Sequence, residues 1–349
     1  LLYQAKLPPV KDGVQKPFKS GGYSDSGADI AYELVKNDIE IITPVENPDP
    51  KNDFDWVFPD TKQGIQQALD KGATILWLNT VLYQDHAITH FFNEYIQIIG
   101  QVPKMVDLFD DKLYTNSLLN QNQIPIPKTQ QLHKKDVASY SLDIDFPMVV
   151  KPLRGRGSQG VFLVKSKNEL DKRLQELYSK KIYGNAVYVE TYLSGQEITI
   201  TVMPPGHYTI DDRTKMFEEP WCLPAVQRFN HQNGIAPYSG VVAVLENSAV
   251  LKDTDLNSKS IATVNAFCIK AAKLLDIKAP IRIDCRADEH GKYYLFDINL
   301  KPNMTGPSRA HRSNQDSLTL LAARKIGWTY SDLLKNMISQ RWKGNHSLK

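Results

Sequence analysis

The segment Ile281–Ser308, IRIDCRADEHGKYYLFDINLKPNMTGPS, constrains this chain more than any other. It reads as two strands, one carrying Arg282 and Asp284 and the next Asp297 and Asn299, joined by a polar turn at Asp288–Lys292. Alternate residues of a strand share a face, so Arg282 points with Asp284 and Asp297 with Asn299. Pairing as a hairpin gathers the four polar groups into one patch amid Ile281, Ile283, Leu295, Phe296 and Ile298. Two carboxylates, an amide oxygen and a guanidinium are costly to bury unless paired or metal-bound. A hard divalent cation held by oxygens, with phosphate completing its coordination, resolves that cost. The competing reading is a polar hairpin face turned to water, a common arrangement in antiparallel sheets.

Upstream, Phe146–Lys151 (FPMVVK) reads as a buried strand ending in lysine. The turn Arg154–Gly160 (RGRGSQG) follows, then a strand at Val161–Lys165. Such a turn lets backbone amides approach phosphate oxygens, with Arg and Lys adding charge. It is not a Walker loop, because no G-K-[ST] ends it and a strand follows. It also lacks the G-x-G-x-x-G helix entry of dinucleotide folds. In Ala186–Val202 (AVYVETYLSGQEITITV), Val187–Tyr192 has strand composition, Ser194-Gly195 turns, and Glu197–Val202 alternates as a second strand. The spacing of Leu108, Leu113, Leu118 and Leu119 predicts one helix over Val106–Gln121, containing Asp111-Lys112. Prolines keep the following Ile124–Pro127 extended.

Together these motifs resemble the ATP-grasp superfamily, most closely its D-alanine–D-alanine ligase-like members. That family reads R-x-D, then E/D-x-N, then P-G-M-T-x-x-S. Arg282, Asp284, Asp297 and Asn299 fill the first two, and Pro302, Met304, Thr305 and Ser308 match the third. Asn303 replaces the family glycine, and Asp297 stands where glutamate is usual, a ligand shorter by one methylene. The resemblance implies an α/β protein of α+β lobes, the ATP-grasp fold, in which two lobes sandwich ATP behind an N-terminal α/β domain. It implies an ATP site of Lys112, Lys151, Gly157, Ser158, Glu190, Tyr192, Leu193 and Glu197, with Glu197 on the ribose. It implies Mg²⁺, or Mn²⁺ in its place, on Asp284, Asp297 and Asn299. Arg282 and Ser308 take the catalytic positions, Arg282 stabilising the transferring phosphoryl group and Ser308 contacting a substrate carboxylate.

The reaction implied is ATP-dependent joining of a small-molecule carboxylate to an amine through an acyl phosphate, on amino acids or an amino-acid-like metabolite. Other ATP-grasp chemistry, phosphoryl transfer to a non-amine acceptor or carboxylase-like, would keep the same nucleotide residues. So would a binding protein without catalysis, against which the complete Arg282, Asp284, Asp297 and Asn299 set counts. The match fades in Pro204–Tyr238, which reads as a loop interrupted by prolines and differs from the family's short acceptor loop. There Arg228 and His231 are the candidates for a substrate carboxylate, since Arg grips carboxylates bidentately. A salt bridge from Arg228 to Glu218 or Glu219 is the structural alternative. Gly21–Ser26 (GGYSDS) resembles the family's early glycine turn, and the acid expected just after it is unassigned.

Composition sets outer bounds. At 349 residues the chain exceeds one typical core. We expect an N-terminal domain over 1–105, a central lobe over 106–203 and a C-terminal lobe over 204–349. A net charge of +3 without a dense basic run argues against nucleic acid. No window approaches the roughly 18 consecutive apolar residues of a membrane span. The opening LLYQAKLPPVKDG lacks a charged start before an apolar core, so no signal peptide is expected. Cys222, Cys268 and Cys285 are scattered, which argues against zinc or disulfides and fits a reducing cytoplasm. A homodimer is the assembly common among such enzymes.

Overall fold

Three sheets organise the chain in the computed structural model, which describes residues 1–344 except 12, 17, 138, 156–158, 181–182, 232–233 and 236–242. The first has the order Trp342–Lys343, Gln97–Ile99, Ile75–Asn79, Leu2–Tyr3, Phe58–Pro59. Its four N-terminal strands run parallel, as expected when strands alternate with helices such as Ser24–Lys36 and Lys62–Asp70. The last strand arrives from the far end of the chain and pairs antiparallel, Trp342 opposite Ile98. The predicted strand Ile39–Pro44 has no ladder. Phe58–Pro59 occupies that edge instead, and Ile39 and Ile41 pack their side chains against the core from an extended segment.

The second sheet is antiparallel, in the order Thr129–His133, Ala186–Thr191, Met148–Pro152, Phe162–Val164. Leu170, Leu174 and Leu177 of helix Lys167–Ser179 recur at helical spacing and close one face of it. Ser166 caps that helix by accepting from the Glu169 amide.

In the third sheet the order is Ser248–Val250, Val226–Arg228, Glu197–Met203, Ile281–Ala287, Tyr293–Asn299, with Trp221–Cys222 also on Glu197–Met203. Every residue of Glu197–Met203 is buried. Ile198, Ile200 and Val202 pack with Ile281, Ile283 and helix Lys259–Leu274. On the other face Thr201 meets Thr319 of helix Leu318–Lys325, hydroxyl to hydroxyl at 3.1 Å.

Two elements differ from the sequence expectation. The single helix over Val106–Gln121 is two, Pro103–Phe109 and Lys112–Gln121. Asp111 causes the break: its carboxylate accepts from the Leu113 and Tyr114 amides at 3.0 and 3.1 Å, the geometry of an N-cap. The stretch expected as a loop at Pro204–Tyr238 instead holds a hairpin, Gly206–Ile210 with Arg213–Phe217, besides Trp221–Cys222 and Val226–Arg228. Asp211 and Asp212 both adopt positive φ in its tight turn, a conformation that aspartate tolerates.

Candidate active site

The hairpin of the third sheet sets Arg282 opposite Asn299 and Asp284 opposite Asp297, with a register shift just after Asp284. Arg282 donates to both Asp284 oxygens, at 3.0 and 3.1 Å. Thr199, opposite Asp284 on the next strand, donates to the same carboxylate at 2.5 Å. Asp297 pairs with Lys112, which stands in the first turn of the helix that Asp111 caps. Burial pushes the Asp297 carboxyl up, but Lys112, Lys151 and Arg282 outweigh it and hold the pKa below the ordinary value. Burial likewise depresses Lys112, and Asp297 with Asp110 and Glu190 more than reverses this. Arg282 is also held above its ordinary value, since Asp284, Asp297 and Glu197 overcome the cost of burying it. For Asp297, Lys112 and Arg282 the mutual pairing thus favours the charged forms.

A second cluster faces this one. Lys151 and Glu190 form a buried ion pair, and the Lys151 ammonium lies 4.8 Å from the Phe296 ring centroid. Burial raises the Glu190 pKa, and Lys151 and Lys112 offset this only in part. The second Glu190 oxygen and the Tyr188 hydroxyl are buried with no hydrogen-bond partner among the described residues. Buried polar atoms are rarely left unmatched, and Glu190 also lines the cavity described below, so its free oxygen marks a place for a polar ligand.

Glu197 receives His231 at 2.8 Å and Arg286 at 3.5 Å. Arg286 also donates to the Tyr192 hydroxyl at 3.0 Å, the Gly234 carbonyl at 2.8 Å and the Gly195 carbonyl at 3.3 Å. It ties the 192–195 linker to Glu197, and sequence reading passed it over. The signal was present: Arg286 continues the alternation Arg282, Asp284 on one strand face. Arg228 is buried opposite Glu197, and burial lowers its pKa despite Asp284 and Glu197 nearby. Glu219 pairs with Lys273 rather than with Arg228.

Lys112, Lys151, Glu190, Tyr192, Leu193, Glu197, Arg228, Arg282, Asp284, Asp297 and Asn299 all line one cavity of about 320 Å³ between the sheets, within the size range of small-molecule sites. Gly157 and Ser158 lie outside the described residues. Two candidates do not line it: His231, which turns to Glu197, and Ser308. The Ser308 hydroxyl is buried and lacks a partner among the described residues. His311 is exposed.

Tyr23, Val81, Leu82, Lys301 and Asn303 continue the lining toward the first sheet. Val81 and Leu82 follow the carboxyl end of strand Ile75–Asn79, where ligands of open α/β sheets bind. Beyond the glycine turn, Asp29 of the helix Ser24–Lys36 is fully buried. It accepts from Thr305 at 2.5 Å, from Arg309 at 3.0 Å and from Arg312 at 2.9 Å. The segment carrying Ser308 is thereby fastened to the N-terminal helix.

The chemistry of these groups suits a nucleotide and a hard cation. Lys112, Lys151 and Arg282 supply positive charge for phosphates. Asp284, Asp297 and the Asn299 amide supply oxygens in adjacent register, and Mg²⁺ typically takes one or two carboxylates plus substrate phosphates. Among the described residues no group of three or more His, Cys, Asp or Glu is placed to hold a metal.

The family model described as D-ala D-ala ligase C-terminus matches residues 118–339, well over half of the chain. The chain belongs to this family. Among its relatives, the D-alanine–D-alanine ligase of Francisella tularensis subsp. novicida (strain U112) is 28% identical over 230 residues, 66% of this chain and 67% of that one. The Francisella philomiragia enzyme is 26% identical over 245 residues, 70% and 71% of the two chains. Among solved structures, D-alanine–D-alanine ligase from Bacillus anthracis complexed with ATP aligns at a TM-score of 0.60 and 19% identity, covering 93% and 94% of the chains. A second Bacillus anthracis structure of that ligase gives 0.63 at 20% identity, over 93% and 95%. The fold is therefore ATP-grasp. Membership makes the protein an ATP-dependent carboxylate–amine ligase acting on small molecules, and the alternative ATP-grasp chemistries gain no support. No described helix is long and apolar enough to cross a membrane.

Proposed function

We propose that the protein converts a small carboxylate to an acyl phosphate at the expense of ATP and transfers the acyl group to an amine. Its substrates are amino acids or amino-acid-like metabolites. The observation that carries this is the convergence of Arg282, Asp284, Asp297 and Asn299 with Lys112 and Lys151 on one cavity. In this reading Lys151, Glu190, Tyr192, Leu193 and Glu197 hold the nucleoside, and Lys112 and Lys151 hold its phosphates. Arg286 keeps Glu197 and the 192–195 linker in position. Asp284, Asp297 and Asn299 hold Mg²⁺, which when bound neutralises phosphate charge during transfer.

The chain's own groups then have defined tasks. Arg282, fixed bidentately on Asp284, places a permanent cation where negative charge grows on the transferring phosphoryl group and on the tetrahedral oxyanion. The carboxylate oxygen attacks phosphorus and ADP leaves; the amine nitrogen attacks the acyl carbon and phosphate leaves with the carbonyl restored. No side-chain nucleophile is needed. Ser308 contacts a substrate carboxylate only if its segment shifts toward the cavity, and Arg228 is the better placed partner for such a group. Free thiols at Cys222, Cys268 and Cys285 suit a cytoplasmic setting, and a homodimer is the proposed assembly.

ADP release from Mg-ATP across single and paired amino acids, D-alanine included, tests the function, with Asp297→Ala as the control. We expect release that needs both an acid and an amine and is abolished by the substitution. Equal release with a single non-amine acceptor would refute the ligase assignment.

A further inference from the structure

On the basis of the proposed nucleotide site, we propose that Arg286 and His231 make this protein select the sugar of its nucleotide. They fix the Glu197 carboxylate so that a ribose is gripped and a deoxyribose is disfavoured. The register of the third sheet places the sugar. Glu197 and Thr199 share one face of strand Glu197–Met203, with Thr199 opposite Asp284 and Glu197 opposite Arg286. Asp284 in turn faces Asp297, and in the proposed function that row holds the cation and the phosphates. The row of Glu197 and Arg286 lies two residues along, roughly 7 Å away. In a nucleotide the sugar adjoins the phosphates and the base lies beyond it. A carboxylate accepts hydrogen bonds and donates none. Glu197, one step from the phosphate row, therefore suits sugar hydroxyls and repels a further phosphate.

The carboxylate is pinned on one side only. His231 Nε2 at 2.8 Å and Arg286 Nη1 at 3.5 Å both meet Glu197 Oε2. Oε1 accepts no hydrogen bond from a described residue, and Glu197 lines the cavity. Arg286 is anchored independently by three neutral acceptors, the Tyr192 hydroxyl and the Gly195 and Gly234 carbonyls. Its guanidinium lies 4.8 Å from the Tyr192 ring centroid. A sugar hydroxyl arriving at Oε1 therefore needs none of these contacts to open. Gly234 makes the grip possible: its φ is +79°, and an added Cβ would lie 2.8 Å from the Leu163 side chain and 3.1 Å from the Tyr192 hydroxyl. A carboxylate fixed in advance loses little freedom when its ligand binds. A site built to bond a hydroxyl rejects the analogue that lacks it, because a buried acceptor is then left unmatched. Arg286 and His231 act through Glu197 and are positioning residues.

Calorimetric titration of the full chain with the magnesium complexes of ATP, 2′-deoxy-ATP, 3′-deoxy-ATP and ITP reads sugar and base separately, without the acid or the amine. We expect the wild type to bind ATP about tenfold or more tighter than at least one deoxy form. Arg286→Met and His231→Ala should bring that ratio close to unity by weakening ATP while leaving the deoxy form nearly unchanged. His231→Gln, whose amide donates from the place of Nε2, should keep the ratio. A purely structural role would weaken all four nucleotides alike and leave the ratio intact. If Arg286→Met fails to fold, His231→Ala, at a partly exposed residue, carries the test. Deoxynucleotides bound as tightly as ATP by the wild type, or a sugar ratio that survives the substitutions, overturn the inference and leave the ligase function standing. A change in the ATP-to-ITP ratio in place of the sugar ratio overturns it too, since Glu197 would then face the base. No binding of any nucleotide overturns the nucleotide site and this inference with it.

Discussion

Replacing Arg309 by methionine tests how the site segment is fastened. The Arg309 side chain is fully buried. Its donors reach Asp29 at 3.0 Å, the Pro50 carbonyl at 3.0 Å, Asp53 at 2.7 Å and the Asp25 carbonyl at 3.0 Å. One guanidinium therefore joins the N-terminal helix, the 50–53 loop and the segment that follows the Ile281–Asn299 hairpin. Methionine keeps most of the volume, so the loss is electrostatic rather than a cavity. Removing one partner of a buried ion pair costs about 3–5 kcal/mol. Arg312 and Thr305 still serve Asp29, and Asp53 is partly exposed, so we expect the lower end, about 3 kcal/mol. Arg312→Met removes a partly exposed partner of the same carboxylate and should cost less, about 1–2 kcal/mol. Urea unfolding followed by tryptophan fluorescence reads both variants through the first transition, since a chain of 349 residues need not unfold in one step. A cost below about 1 kcal/mol for Arg309→Met, or a larger cost for Arg312→Met, would refute the ranking by burial.

Three further outcomes are expected. Gly22→Ala should destabilise by about 2 kcal/mol or more, because φ is +57° and an added Cβ would lie 1.8 Å from the Gln4 carbonyl oxygen; Gly72→Ala, at φ +98° with open space around it, should cost only about 1 kcal/mol in the same urea titration. Lys112→Met should lower the urea midpoint most near neutral pH. Asp297's depressed pKa contributes stability above the ordinary carboxyl value that is lost as pH falls through the folded pKa. Lys112's raised pKa contributes stability below the ordinary lysine value that is lost as pH rises through its own folded pKa. The gap to wild type should therefore close toward acid and again toward strong alkali, and a gap independent of pH would contradict the pairing. Arg282→Met should reduce turnover by roughly 100- to 1,000-fold while ATP still binds in a fluorescence titration; a loss confined to ATP affinity would move Arg282 from transition-state stabilisation to ground-state binding.

The hairpin of Ile281–Asn299 was legible because period-two alternation fixes which residues share a face, whereas its register, with a shift just after Asp284, was not. The strand Met148–Pro152 was legible from its apolar run, and Glu197–Met203 from its alternation after the Ser194-Gly195 turn. What escaped depends on contacts distant in sequence. The break at Asp110-Asp111 is set by one side chain capping two amides, which leucine spacing does not register. Ile39–Pro44 has strand composition, but the sheet edge it would take belongs to Phe58–Pro59. The hairpin within Pro204–Tyr238 hid behind flanking prolines, although Asp211-Asp212 is a plausible tight-turn pair. Asp29 and Arg309 meet across 280 positions, so neither carries a local sign of the other. His231 looked like a substrate ligand from composition, and its ring is occupied by Glu197.

The central claim is an acyl phosphate made from ATP and consumed by an amine. It is tested most directly by running one turnover with a carboxylate labelled with heavy oxygen at both positions and reading the phosphate by phosphorus NMR. Formation of ADP with one heavy oxygen carried into inorganic phosphate is the expected result, because the attacking carboxylate oxygen leaves with phosphorus. AMP and pyrophosphate, or ADP with unlabelled phosphate, would contradict it.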